Sequence, residues 1–105
     1  MVDRRFQRKR YIAFELIGPE PVPGKRCLAK AIDDRLAQVG KKIDFEIIFI
    51  KDRRGIILTS HLKARELREI LNSSFSNDHR YTLRTLGTSG TILTLKRKFF
   101  KGQDV

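Results

Sequence analysis

Arg84-Thr85-Leu86-Gly87-Thr88-Ser89-Gly90-Thr91-Ile92, followed by Lys96-Arg97-Lys98-Phe99-Phe100-Lys101, is the part of this chain best equipped for chemistry. A polar turn with two glycines joins an alternating, strand-like run to an apolar stretch that ends in cations. Thr88 or Ser89 is suited to cap a helix N-terminus, and Gly87 and Gly90 allow a tight bend or a close approach by a partner. Exposed N–H groups in such a turn attract anions, and the helix leaving it carries four cations near its end. Ser89, Gly90 and Thr91 are thus candidates for an anion-binding helix start, against the plainer reading of an ordinary N-cap. A phosphate-rich partner suits this chemistry better than a small-molecule substrate.

The elements that must position this segment follow from the hydrophobic pattern. Arg10 to Ile17 reads as a first strand, rich in aromatic and β-branched residues, and Pro19, Pro21, Pro23 and Gly24 break it. From about Lys25, Leu28, Ile32, Leu36 and Val39 recur at helical spacing until Gly40. Asp44 to Ile50 is a second strand, Lys51-Asp52-Arg53-Arg54-Gly55 a hairpin loop, and Ile56 to Ser60 a third strand. A second helix places Ala64, Leu67, Ile70, Leu71 and Phe75 on one face, with Arg65 and Glu69 as an i,i+4 pair. His79 to Leu86 is the fourth strand, and the glycine turn leads into a final helix over about 89–101.

The expected fold is α+β: a ferredoxin-like, RRM-like βαββαβ antiparallel sheet with an additional C-terminal helix, in one domain over 1–105 with a basic N-terminal arm over about 1–9. Two helices on one face leave the other face open. Along the strands Tyr11, Ala13, Glu15 and Ile17 alternate with Ile12, Phe14 and Leu16, and Phe45, Ile47 and Phe49 with Glu46, Ile48 and Ile50. Ile56 and Leu58 alternate with Ile57 and Thr59. Both faces are therefore substantially apolar and need cover, by the terminal helix, by another subunit, or by both. The aromatic-glycine signature of an RNA-recognition strand is missing from Arg54-Gly55-Ile56-Ile57-Leu58-Thr59, so RNA would be gripped by basic arms and edges rather than by stacking on the sheet.

Net charge is +11, and its placement narrows the partner class. Arg4, Arg5, Arg8, Lys9 and Arg10 face only Asp3 in the first ten residues. Lys96, Arg97, Lys98 and Lys101 face only Asp104 in the last ten, so most of the excess lies in the two ends. Clustered cations at a pI near 10.4 point to a polyanion. Solvated arms are the bland alternative, and an anionic membrane is disfavoured because neither end forms a basic amphipathic helix of useful length. No apolar run approaches the roughly 20 residues of a membrane span. Cys27 stands alone, which fits a reducing, cytoplasmic setting.

Catalysis by the chain itself finds little support. His61 and His79 are the two histidines, and neither has a second metal ligand at useful spacing. Asp33 and Asp34 are adjacent instead of sharing a helical face. No catalytic residue and no metal-binding residue is assigned, and no cofactor is expected on the chain. Cys27 reads as a small helix residue.

The block from Arg84 to Ile92 with Lys98-Phe99 resembles the C-terminal signature of the protein component 2 family of archaeal and eukaryotic ribonuclease P. Arg8-Lys9-Arg10-Tyr11-Ile12 resembles that family's opening strand, and Arg54-Gly55-Ile56-Ile57 its central hairpin. The similarity spans roughly residues 8–101. The chain is short for the family, and the connection from Gln38 to Lys42 is abrupt. The resemblance implies a ferredoxin-like subunit of a ribonucleoprotein that removes the 5′ leader of precursor tRNA, with catalysis by an RNA whose bound Mg²⁺ ions activate water. It also implies partnership with the ribonuclease P RNA, with a TIM-barrel-like protein component 3 and with other protein subunits of the enzyme. Contacts between two copies of the chain are a further expectation. A stand-alone RNA-binding or ribosome-associated module is the alternative, and a small hydrolase using His79 a remote third.

The cations expected to neutralise phosphates are Arg8, Lys9, Arg10, Lys96, Arg97, Lys98 and Lys101. Arg84 alternates with Tyr81, Leu83 and Thr85, which sets it on the opposite strand face, within reach of a phosphate or of a partner's carboxylate.

Overall fold

Alternating apolar residues build the four strands, and every strand pairs antiparallel. A computed structural model describes residues 8–18, 24–72 and 82–100. Its elements are β1 (Lys9–Ile17), α1 (Lys25–Gln38), β2 (Phe45–Lys51), β3 (Arg54–Ser60), α2 (Ala64–Asn72), β4 (Thr82–Ser89) and α3 (Ile92–Phe99). The sheet order β2-β3-β1-β4 is that of the split βαβ arrangement. Arg4, Arg5, Pro19, Pro21, Pro23, Phe75, His79, Tyr81 and Lys101, to which the sequence analysis gave roles, lie outside the described residues.

Ile12, Phe14 and Leu16 of β1, with Ile47, Ile57 and Leu83, meet Leu28, Ala31, Ile32 and Leu36 of α1 and Ala64, Leu67 and Leu71 of α2. This is the main core. The end of α1 explains why Val39 is not in it. Gly40 takes φ +69, its N–H donates to the Ala37 carbonyl at 3.1 Å, and Lys41 N–H donates to the Leu36 carbonyl at 2.9 Å. These are the paired bonds of a Schellman motif, which stops the helix and leaves Val39 at its C-cap, exposed. Lys41 also binds Glu66 of α2 at 3.0 Å, with Lys63 at 3.6 Å. The hydrogen bond from Lys41, helped by the charges of both lysines, holds the Glu66 carboxyl below its ordinary range.

The second sheet face is closed from within the chain. Leu95 and Phe100 pack on Ala13 and Ile56, flanked by Tyr11, Ile48, Phe49, Leu86, Ile92 and Phe99. Of the expected covers, the terminal helix takes the position. Gly87 lies beneath its end, where a Cβ would come within 2.8–2.9 Å of the far edge of the Phe99 ring.

Two bulges correct the expected alternation. In β2 the register shifts between Ile47 and Phe49, so Ile47 pairs with Ile57 while Phe49 pairs with Ile56. Phe49 therefore lies with Ile48 on the α3 face, away from Phe45 and Ile47. Gly55, which pairs with Ile50, is buried, and a Cβ there would strike the Phe49 carbonyl and the Phe14 ring. In β4, Gly87 pairs with Ala13 and Thr85 with Phe14, leaving Leu86 as the extra residue. The Asn72 carboxamide serves Thr85 at this irregularity, accepting from its N–H at 2.9 Å and donating to its hydroxyl at 2.8 Å.

Boundaries shift as well. The hairpin loop shrinks to Asp52-Arg53, with Asp52 at φ +58, because Lys51 and Arg54 already pair. Strand β4 continues to Ser89, beyond the expected end at Leu86, and α3 starts at Ile92 instead of 89.

Candidate nucleic-acid interface

The sequence-predicted cations fall into three places. The first is α3. Its N-cap is Thr91, whose hydroxyl accepts from Thr94 N–H at 3.3 Å. Thr88 and Ser89, the expected caps, belong to β4; Ser89 instead accepts from Thr91 N–H at 3.2 Å. Thr91 thus acts as an ordinary cap, with Gly90 exposed before it. Lys96, Arg97 and Lys98 occupy the last turn, where cations complement the helix macrodipole. They are not equivalent. Lys96 lies half-buried with its ammonium 5.8 Å from the Phe49 ring centre, whereas Arg97 and Lys98 are exposed.

The second place is the start of β1. Arg8 is exposed, with φ +52, and its carbonyl accepts from His61 N–H at 2.8 Å. Lys9 and Arg10 are half-buried, and Arg10 Nη1 donates to the Lys9 carbonyl at 3.0 Å. Strand pairing sets Tyr11 against Ser89, so the β1 start and the Ser89-Gly90 turn are neighbours. A Cβ on Gly90 would lie 3.4 Å from Arg10 Nη1. The fold thus joins two segments that are about 80 residues apart in the chain.

Arg84 sits apart, on the α3 face. Its Nη2 donates to Glu15 Oε1 at 2.7 Å, and Arg54 Nη2 approaches Glu15 Oε2 at 3.5 Å from the other side. Arg54 Nη1 also donates to the Phe99 carbonyl at 2.7 Å, at the end of α3. One carboxylate between two guanidiniums makes a charged row across β4, β1 and β3. Arg84 therefore has its acidic partner inside the chain.

Sequence reasoning passed over a fourth place, on α2. Arg65, Arg68 and Asn72 share a stripe that borders a groove of about 410 Å³ together with Arg10, His61 and Thr88. Their i, i+3, i+7 spacing was the available signal. Among the described residues no three His, Cys, Asp or Glu side chains converge as metal ligands, and no helix is long and apolar enough to cross a membrane. Cys27 is exposed on α1.

No protein-family model matches the chain. Over 103 residues it is 31% identical to ribonuclease P protein component 2 of Methanosarcina mazei, covering 93% of this chain and 89% of that protein. The chain belongs to the ribonuclease P protein component 2 family. It is also 36% identical over 100 residues to the same component of Thermococcus gammatolerans, covering 89% and 83% of the two chains. A chain in the cryo-EM structure of yeast ribonuclease MRP shares the fold, with a TM-score of 0.68, 89% coverage of each chain and 12% identity. Membership in the component 2 family favours the ribonucleoprotein subunit over a stand-alone module.

Proposed function

We infer that this chain is a protein subunit of ribonuclease P that supports the catalytic RNA in removing the 5′ leader of precursor tRNA. It works with that RNA and with other protein subunits. Family membership supports this role, and one structural observation supports the way it is carried out. Helix α3 is seated on the sheet by Leu95, Phe99 and Phe100, and this mounting turns Arg97 and Lys98 to solvent on a fixed base. Cations held in place lose less entropy on meeting a phosphate than cations on a free tail.

In this reading Arg97 and Lys98 are the principal phosphate contacts on α3, with Lys96 beside them, and Lys101 is a further proposed contact. Arg8, Lys9 and Arg10 hold RNA at the β1 start, near Ser89, Gly90 and Thr91. Arg84 contributes by positioning Glu15. The Mg²⁺ ions stay with the RNA, and the chain brings no cofactor of its own. A TIM-barrel-like component 3 is the proposed protein partner; Leu93, exposed on α3 and facing away from the core, is an apolar contact available to it. Sedimentation of the chain alone and with component 3 separates that pairing from association of two copies.

The test is 5′-leader cleavage of a precursor tRNA at low Mg²⁺ by the catalytic RNA with component 3, with and without this chain. Faster cleavage in its presence is expected. The variant Arg97→Glu with Lys98→Glu should bind the RNA at least about tenfold more weakly near 0.1 M salt and flatten the salt dependence. Unchanged cleavage, affinity and slope would overturn the reading.

A further inference from the structure

We propose that the groove between α2 and the ends of β1 and β4 seats the sugar–phosphate backbone of a single RNA strand, as a second contact separate from α3. The proposal rests on the RNA-subunit reading and extends its β1-start contact at Arg10 onto Arg65, Arg68 and Thr88, which that reading leaves unassigned.

Charge is the first support. Three guanidiniums, those of Arg10, Arg65 and Arg68, border the groove against one carboxylate, Glu69. Glu69 meets only the outermost of them, Arg65, at 3.6 Å in an exposed pair that solvent largely screens. Among the described residues Arg10 and Arg68 bond neutral oxygens: the Lys9 carbonyl for the first, the Thr85 and Thr88 hydroxyls for the second. Among the described residues neither guanidinium has an acidic partner, a condition that favours attraction of an anion.

Preorganisation is the second. Arg68 Nε donates to Thr85 Oγ1 at 3.2 Å and Nη1 to Thr88 Oγ1 at 3.0 Å, so its plane is set before any ligand arrives. The Thr85 end of that arrangement is buried and further held by Asn72. A guanidinium in a fixed plane suits the bidentate geometry of a phosphate.

The remaining lining favours RNA over an acidic peptide. Thr88, having accepted from Arg68, keeps its hydroxyl proton to donate to a 2′-OH or a phosphate oxygen. His61 presents an exposed imidazole at the groove wall, a surface on which a base can stack. A peptide carboxylate would use the guanidiniums and leave both of these idle. The groove also adjoins the Gly90 turn through Arg10, so a strand leaving it runs on to the other basic places.

The experiment uses the full chain with two probes, a single-stranded oligouridylate and an oligoglutamate peptide, across a salt titration. The variant Arg65→Gln with Arg68→Gln should weaken oligouridylate binding about tenfold near 0.1 M salt and lower the log–log salt slope by about 1.4, two single-strand contacts at roughly 0.7 each. Arg65→Lys with Arg68→Lys should restore most of the slope. If the double Gln variant unfolds, Arg65→Gln alone serves, since that side chain is 93% exposed, with an expected drop of about 0.7. A folded variant with an unchanged slope overturns the proposal, as does oligoglutamate binding more tightly than oligouridylate and being lost in the variant, which would assign the groove to a protein. If the Arg97→Glu, Lys98→Glu variant is also silent, the RNA-subunit reading falls with it; if that variant responds, only the groove is dismissed.

Discussion

The two faces of the sheet are built from the same strands and are closed in different ways. On one face two helices contribute seven buried residues, Leu28, Ala31, Ile32, Leu36, Ala64, Leu67 and Leu71, to a core that runs under every strand. On the other, an eight-residue helix closes a cluster of four buried residues, with a row of charges at its edge. The first face makes the fold. The second is a mounting, on which a short helix that would be marginal alone is held so that its last turn presents cations. The larger buried core is thus on one side and the exposed cations of α3 on the other, with the α2 groove at the seam between them.

The comparison is sharpest for truncations in the two clusters. Phe14→Ala should cost about 3–5 kcal/mol and lower the midpoint of the whole unfolding transition. Leu95→Ala should cost less, about 2–3 kcal/mol, and act locally: hydrogen exchange rises over α3 while α1 and the centre of β1 stay protected. Equal, global losses from both variants would show that the faces form one cooperative unit.

Glycine substitutions probe the same contrast with a smaller effect. Gly55→Ala brings a Cβ against the Phe49 backbone carbonyl and the Phe14 ring, and β3 is hemmed in by β1 and β2. Gly87→Ala meets only the far end of the Phe99 side chain, which can swing. We expect about 2–3 kcal/mol for the first and about 1 kcal/mol for the second in urea unfolding. The second should also weaken RNA binding, because moving Phe99 moves the last turn of α3.

The smallest expected effect is a pH dependence. The Glu66 carboxyl is held below its ordinary value of 4.5 by Lys41 and Lys63, so in the folded state it stays ionised to lower pH than in the unfolded chain. Its contribution is complete above that ordinary value and disappears as pH falls through the lower folded value. Glu66→Gln should therefore be slightly less stable than the parent at neutral pH and match it in acid, with the gap narrowed by salt. A gap that persists in acid would trace to packing between α1 and α2 instead.

The strand and helix order was legible in the sequence because each element carries its own period: alternation in Tyr11–Ile17, and Leu28, Ile32 and Leu36 at helical spacing. The apolar second face was legible too, since Ala13 and Ile56 are as buried as their neighbours facing the helices. The bulges were not. A single extra residue, Ile48 or Leu86, leaves no mark in composition yet reverses the parity of all that follows, which is why Phe49 was assigned to the wrong face. The N-cap was misplaced for a related reason. Thr88, Ser89 and Thr91 are all competent caps, and the choice depends on where pairing with β1 releases the chain.

The sequence by itself determined the partner class and the list of elements, because net charge, hydrophobic period and the Arg84–Ile92 block are properties of residues and their order. Only the tertiary structure decided which cations stay exposed and which meet partners within the chain. Glu15 takes Arg84 and Arg54, the Phe49 ring lies beneath Lys96, and Arg97 and Lys98 are left in solvent. It also drew Arg10, Arg68 and Thr88 to one groove from three elements distant in the chain. Charge neutralisation and convergence act over a few ångströms in space, and strand pairing and bulges set those distances.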